Sequence, residues 1–203
     1  MDQWTIAVLG EGGVGKTELS IAFALNTFVG ALLPSQSMPP IIMPDEEPDP
    51  QFFRKQFVVD NHMCFVEVRA PTAGQVAKPP ENEFLAEAQG FVLVYSIASR
   101  SSFDRIEEFH QAVVRVKGAD AVFILIGNKC DERLDREVSK DDGAALARQL
   151  GCEFVETSAK TAQNVDRTFT NIVRALRQKE AQSLATQNHS GKGKKKKKNC
   201  IIL

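Results

Sequence analysis

Apolar runs of four to seven residues alternate with amphipathic stretches along most of this chain. The runs at 4–9, 53–59, 64–68, 91–96, 122–127 and 153–156 have strand length and are rich in Val, Ile and Phe. Between them, helical periodicity covers 16–28, 83–89, 101–117, 140–150 and 165–178. Within 101–117, Phe103, Ile106, Phe109, Val113 and Val116 recur at spacings of three and four, which defines one buried face. Ser139 and Asp142 form a capping-box pattern that opens the helix over 140–150, and Gly151 closes it. Asp60-Asn61-His62 is a turn between adjacent strands and predicts an antiparallel hairpin. The remainder is strand–helix alternation. The predicted fold is therefore α/β: a doubly wound, mostly parallel six-stranded sheet with one antiparallel hairpin strand and helices on both faces.

In such sheets ligands sit at the carboxyl ends of the strands. At the end of the first run stands Gly10-Glu11-Gly12-Gly13-Val14-Gly15-Lys16-Thr17, followed directly by the first helix. Strand, glycine-rich loop and helix N-terminus are the order of a phosphate-binding loop. Its glycines let successive N–H groups face one anion, and the helix adds its positive end. Lys16 then serves the β- and γ-phosphates, and the Thr17 hydroxyl serves Mg²⁺. All nine prolines lie in two windows, 34–50 and 71–80, which excludes regular helix or central strand there.

Charge alters the picture only at one end. Of 25 basic residues, six are lysines within 188–203, a segment with no acid; the remainder holds 19 basic residues against 26 acidic. An acidic body does not point to nucleic acid. Cys64, Cys130 and Cys152 are too far apart for a metal site and read as reduced thiols; His62, His110 and His189 read as turn, helix surface and tail. No apolar run reaches the length of a membrane span, and no signal peptide is expected.

The base-reading chemistry lies further along. Asn128-Lys129-Cys130-Asp131 follows the run at 122–127, where a carboxylate can accept two hydrogen bonds from a guanine ring N–H and exocyclic amine. Ser158-Ala159-Lys160 follows the last strand and offers backbone N–H groups beside it. With the glycine loop and Thr72-Ala73-Gly74-Gln75, these motifs stand in the order found in the Ras family of small GTPases, which the chain resembles over residues 4–178. The resemblance implies a P-loop NTPase fold of the small G-protein type, with GTP or GDP and Mg²⁺ bound. It implies that Gly10, Gly12, Gly13, Val14, Gly15, Lys16 and Thr17 hold the phosphates. Phe28 would pack on the base, beside Asn128 and Lys129, and Asp131 would select guanine. Ser158, Ala159 and Lys160 would border the base, Ala159 through its N–H. Gly74 would sense the γ-phosphate; Gln75, with Lys16, would serve catalysis by orienting the attacking water.

Two positions depart from the family pattern. The Asp expected just before Thr72 is replaced by Pro71, preceded by Ala70 and Arg69, and the effector-loop Thr that ligates Mg²⁺ is replaced by Pro48. Ser35 and Ser37 are substitutes only in an unusual loop conformation. A lost outer-shell partner weakens a metal site by about 10–100-fold, so weak Mg²⁺ dependence and slow or absent intrinsic hydrolysis are expected.

The segment 179–203 is read as a flexible polybasic tail on a guanine-nucleotide-binding domain at 1–178. Cys200-Ile201-Ile202-Leu203 matches the C-a-a-X prenylation pattern, a final Leu favouring geranylgeranyl. The adjoining lysines supply the second signal that stable anchoring on an anionic membrane requires; a nuclear-localisation patch and an RNA-binding tail are the alternatives for the run taken alone. The resulting expectation is a switch on the cytoplasmic face of the plasma membrane, served by effector, exchange-factor and GTPase-activating proteins. The alternative is a catalytically impaired scaffold that recruits partners at the membrane.

Overall fold

The computed structural model describes residues 1–25, 52–71 and 79–190. Six strands among these residues, β1 (Asp2–Leu9), β2 (Phe52–Val59), β3 (His62–Arg69), β4 (Gly90–Ser96), β5 (Val122–Asn128) and β6 (Glu153–Glu156), form one sheet in the order β2-β3-β1-β4-β5-β6. Only the β2–β3 pair is antiparallel. Its connection is two residues long: Asp60 and Asn61 both take positive φ (51° and 62°), as a type I′ hairpin turn demands, while His62 already pairs with Val59. The expected doubly wound sheet is thus present, its glycine loop at the carboxyl end of β1.

Alternate residues of the central strands divide the core into two layers. Ile6 and Val8 of β1, Val92 and Val94 of β4, and Ile124 and Ile126 of β5 face α1 (Lys16–Leu25) and α6 (Val165–Ser190). There the Phe23 and Phe169 rings stack at 3.8 Å, joining the two helices. Ala7, Leu9, Phe91, Leu93, Tyr95, Phe123 and Leu125 face the other way. They pack against α2 (Asn82–Glu87), α3 (Arg100–Asp104), α4 (Ile106–Lys117) and α5 (Lys140–Leu150). Every residue of β4 is buried, as a strand covered on both faces must be. The Ser139–Asp142 capping box and the left-handed Gly151 cap (φ 69°) bound α5 as expected. Cys64 and Cys130 are buried and Cys152 half-buried, all free thiols.

Three elements differ from the sequence reading. The helix expected over 101–117 is two helices, broken at Arg105 (φ −87°, ψ −6°). Ser99 caps the first of them, and the Ser102 hydroxyl binds the Ser96 N–H at 3.0 Å, tying that short helix to the end of β4. The apolar stripe runs through the break, so periodicity does not register it. The helix expected over 83–89 ends at Glu87, because Gln89 pairs with Thr5 of β1 through both its backbone and its side chain. The helix expected to end at 178 continues to Ser190, within the segment read as coil. Residues 179–190 include Lys, Glu, Ala, Gln and Leu, strong helix formers even without a partner to pack on. His189 therefore lies on a helix, and His110 packs its ring 4.5 Å from Phe123 rather than standing clear on the helix surface.

Candidate functional site

Two glycines fix the loop between β1 and α1 by close approach. Gly10 leaves the strand at φ 151°, and a Cβ there would overlap the Val94 carbonyl oxygen of β4. Gly15 enters the helix at φ 93°, and a Cβ there would overlap the Asn128 amide nitrogen of β5. Gly13, between them, needs only its positive φ of 75°, with open space beyond its Cα, and Gly12 is exposed. The loop is thus pinned against the ends of two strands while its middle faces outward.

The pin is a buried polar relay. Asn128 Nδ2 donates to the Val14 carbonyl at 2.8 Å, and Thr157 Oγ1 donates to Asn128 Oδ1 at 3.0 Å. Val14, Asn128 and Thr157 are all buried, so each partner satisfies a group that water cannot reach. The backbone repeats the connection: Cys130 N–H bonds the Thr157 carbonyl and Thr157 N–H bonds that of Gly127. Arg136 then holds Glu156 by two hydrogen bonds, 2.6 and 3.1 Å, which fixes the end of β6 from outside.

Lys16 folds back over the loop, its ammonium donating to the carbonyls of Gly10 at 3.0 Å and Glu11 at 2.8 Å. It is 7 % exposed, and desolvation by burial pushes its pKa down to about 8, the carboxylates of Glu18 and Glu11 opposing this. Thr17 is exposed on the first turn of α1. Arg105, at the α3–α4 break, pairs with Glu11 of the loop at 3.3 Å.

Beside the loop opens a pocket of about 250 Å³ lined by Gly13, Gly15, Asn128, Lys129, Asp131, Ala159 and Lys160, together with Glu18 and Glu132. The phosphate-side and base-side residues read from three separate motifs therefore share one cavity. Ser158 is buried behind it: its hydroxyl accepts from Thr161 N–H at 3.1 Å, and its own N–H donates to Gln163, which shapes the turn carrying Ala159. Gly10, Val14, Lys16 and Thr17 lie along the loop beyond the pocket wall. Phe28, Pro48, Gly74, Gln75 and Cys200 lie outside the described residues.

The metal-side departures are visible at the end of β3. Ala70 and Pro71 are buried and bring no side-chain acceptor. Arg69 instead pairs with Glu67 at 2.7 Å and with Glu87 of α2. Among the described residues no three His, Cys, Asp or Glu side chains come together as a metal site. The donor set therefore fits Mg²⁺ only as a companion of phosphate: of the side-chain oxygens in the loop, those of Glu11 are engaged with Arg105, which leaves the Thr17 hydroxyl. Two features escaped the motif reading: Glu18 stands out in the sequence only as an acid in the first helical turn, and the Glu11–Arg105 pair spans too much sequence to be seen.

Sheet order, pinned glycine loop and the cavity beside it define a P-loop nucleotide-binding fold of the small G-protein type. The sequence model of the Ras family matches residues 5–178. This chain belongs to the Ras family of small GTPases. It is similar to Ras-like protein 1 of Pyricularia oryzae, 41% identical over 198 aligned residues that cover 88% of this chain and 76% of that protein. Protein ras-2 of Neurospora crassa is 39% identical, with 90% and 83% covered, and Ras-like protein B of Aspergillus fumigatus is 39% identical, with 90% and 81% covered. No helix among the described residues is long and apolar enough to cross a membrane.

Proposed function

We propose that this chain is a membrane-tethered Ras-type switch that binds GTP and GDP. One observation carries the reading: a single pocket unites Gly13 and Gly15 with Asp131 and Ala159. In it the Asp131 carboxylate accepts from the guanine ring N–H and amine, and Ala159 N–H donates to the guanine oxygen. The stem of Lys129 and the ring of Phe28 flank the base. The loop N–H groups and the Lys16 ammonium offset phosphate charge, including charge that develops on the γ-phosphoryl oxygens. Gly74 senses that group and Gln75 orients water for in-line attack. Thr17 would help to hold Mg²⁺, which would supply charge neutralisation at the phosphates.

Ala70 and Pro71 at the end of β3 favour a second reading within the same site. Without side-chain acceptors there, magnesium support and turnover are weak, and the chain acts as a guanine-nucleotide-bound scaffold. Identification of nucleotide in purified protein, followed by single-turnover conversion of GTP with and without Mg²⁺, separates the two. Bound GDP with Mg²⁺-dependent turnover supports the switch; retained GTP supports the scaffold; absence of any guanine nucleotide affinity overturns both.

The tail completes the proposal. Residues 1–178 form the nucleotide-binding domain. Cys200 accepts a prenyl group, and six nearby lysines at about 1 kcal/mol each strengthen attachment to the anionic cytoplasmic face of the plasma membrane. Effector, exchange-factor and GTPase-activating proteins are the partners of such a switch. Cys200→Ser is expected to move the protein to the soluble fraction; persistent membrane binding would overturn the lipid assignment.

A further inference from the structure

Glu18 stands where the nucleotide's own charge has to go. It lies in the first turn of α1, and it lines the pocket beside Gly13 and Gly15. One of its carboxylate oxygens comes within 3.9 Å of the position a Cβ would take on Gly15. The carboxylate therefore sits over the helix N-terminus, the positive end that attracts phosphate in a glycine loop. Among the described residues Glu18 makes no hydrogen bond or ion pair with another side chain. Its charge acts on the Lys16 ammonium, which itself donates to the carbonyls of Gly10 and Glu11, and Lys129 and Lys160 line the same pocket, but none of these cations pairs directly with Glu18. Of the other two pocket acids, Asp131 is assigned to the base in the proposed function, and Glu132 is its neighbour in the chain. Glu18 has no such assignment.

We propose that Glu18 is a specificity-determining residue that holds a negative charge against the helix N-terminus and competes with the phosphates of the bound nucleotide for it. This rests on the nucleotide-binding reading of the same pocket. Although Glu18 is exposed, a carboxylate beside the glycine loop repels an anion bound there in proportion to the charge that anion carries. Discrimination follows: the pocket favours the base and penalises the phosphate chain, so the residue loosens GDP and GTP far more than guanosine. Bound nucleotide is held less tightly than the intact loop would allow, and it leaves faster.

The test compares the full chain with Glu18→Gln, which keeps shape and removes charge, and with Glu18→Ala, for binding of GDP, ADP and guanosine. Thermal unfolding of each form confirms that it is folded. Removing the charge is expected to tighten GDP about tenfold, to change guanosine by less than about twofold, and to have a smaller effect in 1 M salt. Unchanged or weaker GDP binding overturns the inference, as does equal tightening of guanosine. A GDP preference over ADP tests the pocket reading separately. If the two bind equally but both tighten in Glu18→Gln, guanine selection is wrong and the Glu18 inference stands. If no form binds any nucleotide, both are overturned.

Discussion

Asn128 and Val14, 114 positions apart, share one buried hydrogen bond of 2.8 Å, so the end of β5 and the glycine loop are one mechanical unit. Replacing Asn128 with Ala leaves the Val14 carbonyl unpaired and removes the acceptor of the Thr157 hydroxyl. Each orphaned buried group costs about 1–3 kcal/mol. The variant is expected to lose about 2–4 kcal/mol of stability by urea denaturation and to weaken nucleotide binding as well. Thr157→Val, which removes only the outer donor, is expected to cost less.

The loop glycines rank by what a methyl group would meet. Gly10→Ala drives a Cβ into a backbone oxygen of β4, which cannot yield without moving the strand. Gly13→Ala meets open space and bears only the cost of its left-handed backbone, about 1–2 kcal/mol. Denaturant midpoints should therefore fall much further for Gly10→Ala than for Gly13→Ala.

Lys16 gives the nucleotide-free protein a pH signature. Its folded pKa of about 8 lies below the ordinary 10.5, so the unfolded chain binds the proton more tightly. The destabilisation is fully present below pH 8 and fades as pH rises towards 10.5. Its size is about 3 kcal/mol. Stability of wild type relative to Lys16→Met should rise across that window in chemical denaturation. Phosphate restores the ammonium, so nucleotide binding near pH 9 should take up a proton, measurable by calorimetry in buffers of different ionisation enthalpy.

Tyr95 presents the opposite case, a polar atom with nothing to bind. Its hydroxyl is buried and has no hydrogen-bond partner among the described residues, filling a gap left by Gly127 of β5 and Gly143 of α5. Tyr95→Phe removes a desolvated hydroxyl and should raise stability by about 1 kcal/mol. Gly143→Ala, whose Cβ would overlap Tyr95 Oη and the Phe154 ring, should destabilise. Part of that loss should return in the double variant with Tyr95→Phe.

The sheet was legible because its signals are local. The apolar runs at Ile6–Leu9 and in β4, the Ser139–Asp142 box, and the Asp60–Asn61 turn each depend on neighbours in sequence. Asp131 and Ala159 were legible for the same reason, as members of short motifs at strand ends. The Asn128–Thr157 bond and the Glu11–Arg105 pair were not, since each joins residues that only the folded sheet brings together. Glu18 was hidden differently. A first-turn acid is what helix capping alone would select, so its place in the pocket emerges only once the loop has been folded over it.

The length of α6 sets the geometry of attachment. As a rod of 26 residues it spans about 39 Å, and its outer part stands clear of the sheet. A lipid at Cys200 would then be joined to the catalytic body through a stiff stalk that ends at Ser190. Such a stalk transmits orientation as well as position: tilting the domain on the bilayer would swing the glycine loop through an arc set by the helix axis.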